Sequence, residues 1–545
     1  MIIKKNKLQE RKAITPLSRR EGLGVGLVCL LLFFSSCSTS LPDEAEEVGR
    51  AAQTMPDNAG ATLPPNIAPL SFEILEAGDA FVSCLSTKSG EQVFIGGRTS
   101  VPDQEDWQRL LTAAMGDTLW TDIYVKQDGQ WKHFDRIANP VAKDSIDPFI
   151  TYRLIRPSYV MYEELALVER NTTNFDERVI YDNMPMSKGD KGQCINCHVP
   201  QQQGQSGRSQ FHVRQAFGGT VLIDGNKLSK VNLKTDSTLS AGVYPAWHPT
   251  QNLIVYSVNE TGQAFHTLDP QKIEVIDYAS DLILYDPEKN EVMSIERTAN
   301  DYESFPTWSP DGRTIYYISA HHKPIGDNID ADLEQNYQTL HYNIYARDFN
   351  PETRKFGERR LIFDAESLGK SASTPRISPD GRWLLFSLAD YGQFHIWHKS
   401  ADLCAINLKS LEILGNLEEL NSPESDSYHS WSSNGRWILF SSRRMDGNYT
   451  RLYMAYFDND GKAHRPLLLP QRHPRHYTQL FRSFNAAEWM TRPVASNQKA
   501  LESCIRKDAK PARYAGSALL HSENDSTLQQ TRISKQNYHN IYEND

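Results

Sequence analysis

Between residues 244 and 436 the chain repeats one short pattern four times, and this restricts the fold more than any other feature. The copies are Tyr244-Pro-Ala-Trp247-His-Pro249, Phe305-Pro-Thr-Trp308-Ser-Pro-Asp-Gly-Arg313, Thr374-Pro-Arg-Ile377-Ser-Pro-Asp-Gly-Arg382 and Tyr428-His-Ser-Trp431-Ser-Ser-Asn-Gly-Arg436. Each leads into an apolar stretch: Leu253–Val258, Thr314–Ser319, Trp383–Leu388 and Trp437–Ser442. Proline presets φ, and Asp or Asn followed by Gly tolerates the remaining corner, so each copy reads as strand, tight turn, strand. A strand pair repeated at this spacing cannot bury its apolar face alone and has to stack on its neighbours. The copies start 61, 69 and 54 residues apart, more than the roughly 40–50 of a four-stranded blade. Loop insertions such as His321–Gln338 account for the excess. The fold class expected is mainly β, with a propeller of 4–6 blades over residues 217–490. Further strands are expected at Leu282–Tyr285, Val292–Ile295, Tyr342–Ala346 and Arg451–Phe457, with Thr220–Ile223 and Leu228–Leu233 assigned to another blade.

The Ser-Pro-Asp-Gly-Arg element resembles the repeats of TolB-like propellers and of the propeller half of prolyl oligopeptidases. Ahead of it, residues 66–182 read as a separate β-rich domain: Asp122–Lys126 and Ile150–Ile155 alternate in polarity as half-buried strands do, and Trp107–Met115 reads as a short helix. Residues 183–216, punctuated by Gly189, Gly192, Pro200 and Gly204, read as loop. Residues 37–65 are polar, acidic and without apolar periodicity, and read as a disordered tether; residues 491–545 read as a polar tail, also disordered.

The first 36 residues read as a targeting segment. A basic start, from Lys4 to Arg20, precedes the apolar run Gly22–Phe34, too short for a membrane-spanning helix of roughly 20 residues. Phe34-Ser-Ser-Cys37 resembles the lipobox of bacterial lipoproteins, with Phe34 in place of the usual Leu. That resemblance implies a lipid on Cys37 and a protein anchored in the cell envelope, facing the periplasm, with inner and outer membrane both open. The chain has 58 basic and 68 acidic side chains, of which the leader holds 7 and 2, so the remainder carries a net charge of −15. This excludes the basic face of a nucleic-acid binder.

Of the seven cysteines, Cys29 leaves with the leader, and an oxidising compartment allows one disulfide among Cys84, Cys404 and Cys504. The remaining pair stands in Cys194-Ile-Asn-Cys197-His198, the C-x-x-C-H pattern of c-type haem attachment. Two thiols add across the vinyl groups of the porphyrin, and the neighbouring imidazole ligates the iron, so one covalent haem c is expected, with His198 as proximal ligand. Rival readings are a redox dithiol, which wants a βαβ setting, a structural zinc site, which needs four ligands, and a plain disulfide. His212, Met184 and Met186 are the candidates for the distal ligand, and Arg214 is a candidate partner for a haem propionate.

Pro64-Pro-Asn-Ile-Ala-Pro-Leu70, the Cys194–His198 segment and Gly218-Gly-Thr220 together resemble a family of exported Bacteroidetes-type lipoproteins with a C-x-x-C-H insert before a TolB-like propeller. The likeness spans about residues 62–490 and implies architecture more than activity. The function expected is that of a periplasm-facing c-type cytochrome whose haem relays electrons or senses redox state while the propeller docks an envelope partner. The alternative is an assembly lipoprotein whose propeller is the active module and whose haem is structural. A hydrolase is not expected, since the sequence lacks a G-x-S-x-G nucleophile elbow and only about 55 residues follow position 490.

Overall fold

Six residues that are not glycine adopt left-handed backbone at equivalent places: Cys197 (φ 54°), Tyr244 (46°), Phe305 (48°), Thr374 (49°), Tyr428 (46°) and Ala486 (50°). Each sits at a bulge in the first strand of a β-sheet. The register with the second strand slips between Asn196 and Val199, Val243 and Ala246, Ser304 and Thr307, Ser373 and Arg376, Ser427 and Ser430, and Asn485 and Glu488. The sequence repeat therefore has six copies, of which those at Phe305 and Thr374 carry an Asp-Gly turn and that at Tyr428 an Asn-Gly turn.

The computed structural model describes residues 40–156, 164–186, 192–266, 268–269, 271–298, 300–322 and 329–520. Each bulged strand is the inner strand of an antiparallel blade. Blade 1 runs outward through Gln193–Pro200, Arg208–Gln215, Gly219–Asp224 and Lys227–Asn232. Blade 2 comprises Val243–Trp247, Ile254–Phe265, Ile273–Asp286 and Glu291–Glu296. Blade 3 comprises Asp301–Trp308, Thr314–His321, Asn343–Asn350 and Lys355–Phe363. Blade 4 holds Ser371–Ile377, Trp383–Ala389 and Asp402–Asn407, with a single bridge from Ile406 to Ile413 in the fourth place. Blade 5 comprises Asp426–Trp431, Trp437–Ser442, Arg451–Tyr456 and Leu467–Leu468.

Blade 6 joins the two ends of the fold. Its inner strand, Ser483–Met490, pairs with Phe149–Ile155, followed by Ala166–Asn171 and Glu177–Asp182. Consecutive inner strands touch, and that of blade 6 touches that of blade 1, so the ring closes as a six-bladed propeller.

This topology corrects several boundaries. The strands Phe149–Ile155, Ala166–Asn171 and Glu177–Asp182 are the outer three of blade 6, not part of a separate domain. Residues 193–200 and 208–215 are paired strands of blade 1, not loop. The segment read as a tether contributes the strand Glu46–Ala51, parallel to Gln130–Pro140, and its Ala61 and Leu63 are fully buried. Residues 498–505 of the supposed tail form a helix capped by Asn497, whose Leu501 and Ile505 pack on Ile195 and Val213. Lys510–Pro511 and Arg513–Ser517 then add parallel strands to the rims of blades 1 and 2. Residues 1–39, with the leader and Cys37, and residues 521–545 lie outside the described part.

The rest of the N-terminal region is a five-stranded sheet (46–51, 130–140, 118–127, 80–87, 92–96) with the helix Gln104–Ala114. Its core is continuous with that of blade 5: Trp107, Leu110 and Leu111 share one cluster with Trp437, Leu439 and Met454. The Trp437 indole N–H also donates to the Asp144 carbonyl at 2.9 Å.

The repeat turns tie neighbouring blades together. Gly312 has φ +69°, and its carbonyl accepts a hydrogen bond from His248 Nε2 of the preceding blade at 3.0 Å. A methyl group at position 312 would overlap the His248 ring, whereas at Gly381 (φ +74°) the nearest atom, from Pro310, lies 3.9 Å away. Gly381→Ala meets only left-handed backbone strain, about 1 kcal/mol. Gly312→Ala adds an overpacking cost of about 1–3 kcal/mol. Urea midpoints should therefore fall clearly further for Gly312→Ala; equal midpoints would mean that the inter-blade contact is not tight.

Candidate functional site

The C-x-x-C-H segment is the inner strand of blade 1, which is itself a copy of the repeat: Cys197 occupies the left-handed position of Tyr244 and Phe305, and Gly204 (φ 79°) that of Gly312. In an unbroken strand, side chains three residues apart point to opposite faces. Ile195 points into the core, fully buried beside Val213, and Cys194 and Asn196 take the other face. The bulge at Cys197 inserts one residue out of step, and both cysteines line the same cavity of about 1850 Å³. That cavity extends from blade 1, under the 233–243 connection, to the central channel, which carries Tyr244, Phe305, Thr374, Tyr428 and Ala486, the other five left-handed positions.

The second strand of blade 1 completes the wall. His212 lies directly opposite Asn196, and Arg214 opposite Cys194. Both line the cavity. His212 is 4% exposed, and its Nδ1 is 3.1 Å from Thr220 Oγ1. Burial, helped by Arg214, lowers its pKa to about 3. His198 also lines the cavity and hydrogen-bonds the Thr151 backbone of blade 6; burial lowers its pKa to about 4. Its Nε2 is buried without a hydrogen-bond partner. Both imidazoles are thus neutral at pH 7, the form in which histidine binds a metal.

Cys194 and Cys197 are free thiols, and Asn196 Nδ2 donates to Cys194 Sγ at 3.3 Å. Burial raises both thiol pKa values, against the pull of Arg214 and Arg153. A redox dithiol needs the opposite shift, and burial gives neither thiol the lowered pKa that this rival requires. A structural zinc site needs four protein ligands, and among the described residues no group of three or more His, Cys, Asp or Glu is placed to hold a metal ion. Cys84, Cys404 and Cys504 are free thiols as well.

The methionine candidates are corrected by their positions. Met186 is fully buried in the core with Ile155, Tyr181 and Val213, behind the opposite face of the strand. Met184 is exposed, and neither lines the cavity. Met184 leads the short turn Met184–Met186, which follows blade 6's outermost strand.

The cavity also presents groups that the sequence reading missed. Arg153, from the strand Phe149–Ile155 of blade 6, is 8% exposed; its guanidinium donates to the Ile195 carbonyl at 3.2 Å, and its Nε has no partner. A lone arginine in the otherwise uncharged run Phe149-Ile-Thr-Tyr-Arg-Leu-Ile155 was the available signal. Across the channel, Arg376 and Glu488 pair at 3.0 Å; burial raises the Glu488 carboxyl, and Arg376 opposes the rise.

The residues present fit a covalently held haem. Two reduced thiols and an unpartnered imidazole nitrogen belong to one cavity, a second imidazole stands on the adjacent strand, and the space exceeds the roughly 300–1,000 Å³ of ordinary small-molecule sites.

No protein-family model matches the chain, and no curated protein matches it. Among solved structures, a puromycin-hydrolysing peptidase from Mycobacterium tuberculosis shares 10% identity over 79% of this chain at a TM-score of 0.33. The tricorn protease shares 12% over 65% at 0.33. The β-propeller domain of the Trilobed protease from Pyrococcus furiosus shares 12% over 66% at 0.30, covering 96% of that domain. The chain spans only 57% of the peptidase's length and 34% of the tricorn protease's. Likenesses this distant carry no functional argument, and the propeller rests on the strand pairing described above.

Proposed function

We propose that this protein is a cell-envelope c-type cytochrome in which a six-bladed propeller holds one haem, joined by thioethers to Cys194 and Cys197 and ligated by His198 and His212. The observation that carries this reading is the bulge at Cys197, which brings both thiols of the pair to the wall that His198 and His212 share. When bound, the group supplies one reversible electron. The chain's own residues do the rest: the blade 1 ladder fixes the spacing of the thiols, and the Thr151 backbone orients His198. Thr220 orients His212, and burial keeps both rings neutral. Two imidazoles set a lower reduction potential than an imidazole and a thioether. The propeller surface would dock a redox partner through the small, transient contact typical of electron transfer, and a lipid on Cys37 would hold the protein at the membrane.

The test is production in cells that export proteins and attach haem c. The expected result is a haem that survives a denaturing gel, a pyridine haemochrome with the band shift of saturated thioether side groups, a reversible change on dithionite reduction, and no carbon monoxide binding, because His212 would hold the iron together with His198. A correctly exported, colourless protein would exclude the reading.

A further inference from the structure

We propose that Arg153 is the anion-binding residue of the cavity, and that it takes a carboxylate of the ligand seated against Cys194–His198. This rests on the reading of the cavity as a cofactor site and extends it to a residue from a different blade.

A guanidinium cannot shed its proton inside a protein, so a buried one needs a negative partner or leaves an expensive uncompensated charge. Arg153 is more than nine-tenths buried and lines the cavity. Among the described residues it makes one hydrogen bond, to the neutral Ile195 carbonyl, and no ion pair. Its Nε is buried and unpartnered. Five carboxylates line the same cavity, Asp236, Glu260, Asp330, Glu334 and Glu488; Glu488 pairs with Arg376, Glu334 accepts from the Tyr278 hydroxyl, and among the described residues none forms an ion pair with Arg153. Arg153 is also close enough to act electrostatically on Cys194, Cys197 and His198, while Arg214 acts on Cys194, Cys197 and His212. Two guanidiniums from different blades thus bracket the C-x-x-C-H segment. A planar ligand with two carboxylates, such as a porphyrin with its propionates, matches that arrangement, because a guanidinium fork binds a carboxylate through paired hydrogen bonds. A separate small dicarboxylate would supply the same chemistry, and the test has an arm for each source.

In the first arm, wild type, Arg153→Gln and Arg153→Lys are purified with haem attached. Covalent haem content should be unchanged in all three, because the thioethers do not involve Arg153. At a fixed mediator potential the ratio of oxidised to reduced haem should rise about tenfold in Arg153→Gln, since losing a nearby cation favours the ferric state, and Arg153→Lys should restore most of the difference. In the second arm, the full chain carrying Cys194→Ala and Cys197→Ala is titrated with iron protoporphyrin and with its dimethyl ester. Arg153→Gln should weaken binding of the free acid about tenfold and leave the ester unaffected. Succinate is titrated in parallel; binding that is abolished by Arg153→Gln, in a protein that carries no haem, would support the anion site while excluding the haem reading. If haem is attached yet neither the redox ratio nor the acid-to-ester difference responds to Arg153→Gln, the proposal is overturned and the haem reading stands. If the protein carries no haem and neither the porphyrin nor succinate binds in an Arg153-dependent way, both are overturned.

Discussion

A chain ended after Arg482 is expected to lose the cooperative fold of the propeller, although the removed residues follow the fifth blade. The inner strand of blade 6 is Ser483–Met490, and its partners lie more than 300 residues upstream. It brings Trp489 and Phe484, exposed by 0% and 2%, into the core shared with Tyr152 and Ile150. Truncating a single buried Trp or Phe to Ala costs about 3–5 kcal/mol, against a total stability of about 5–15 kcal/mol for a typical domain. Removing the whole strand also exposes the hydrogen-bonding edge of Phe149–Ile155. Hydrogen exchange should show residues 149–155 unprotected in the shortened chain, and Trp489→Ala in the full chain should lower stability by about 3–5 kcal/mol. A truncated protein that keeps amide protection at 149–155 would mean that the upstream strands do not need the late one.

The second large effect concerns the site. On the proposed cofactor reading, replacing both Cys194 and Cys197 by alanine is expected to abolish covalent haem completely while leaving the propeller folded. The strand is held by ladder hydrogen bonds to Arg208–Gln215 and by Ile195 in the core, neither of which uses the thiols. Each Cys→Ala change removes one sulfur atom from a cavity wall, a cost of about 1 kcal/mol or less. The denaturing-gel stain should vanish, and the circular dichroism spectrum of a β-rich protein should persist. A double variant that fails to fold would shift the role of the pair from carrying a cofactor to building the blade.

The sequence made four blades legible because their turns are written in residues chosen by backbone geometry rather than by packing: Pro with Asp-Gly in blades 3 and 4, Asn-Gly in blade 5, and Pro without Gly in blade 2. The other two copies are obscured for separate reasons. Blade 1 keeps only Gly204 of the turn, in Pro200-Gln-Gln-Gln-Gly204, and its glycine-flanked surroundings looked like loop. The inner strand of blade 6 has no hairpin to its partner, so no turn residues mark it, and pairing between positions 149 and 490 leaves no local trace. The short parallel additions at 510–511 and 513–517 are held through backbone groups, which composition does not reveal. At the site, the spacing of Cys194, Cys197 and His198 could be read directly, and so could His212 as a nearby imidazole. Arg153 was marked only as a lone charge in an otherwise uncharged strand, because its place in the cavity depends on ring closure.

That closure also sets an order of events. The C-x-x-C-H strand is made first among the six inner strands and the sealing strand last, nearly 300 residues later. In the finished ring His198 Nε2 has no surface open to solvent, and the ring it belongs to is bonded to the Thr151 backbone across the seam. On the cofactor reading, iron meets that nitrogen most readily while blades 1 and 6 are still apart. Haem loading would then be fastest in the interval between export of the early strands and arrival of the last, and a protein that shut first would load slowly, through the cavity and past a ring that has to turn.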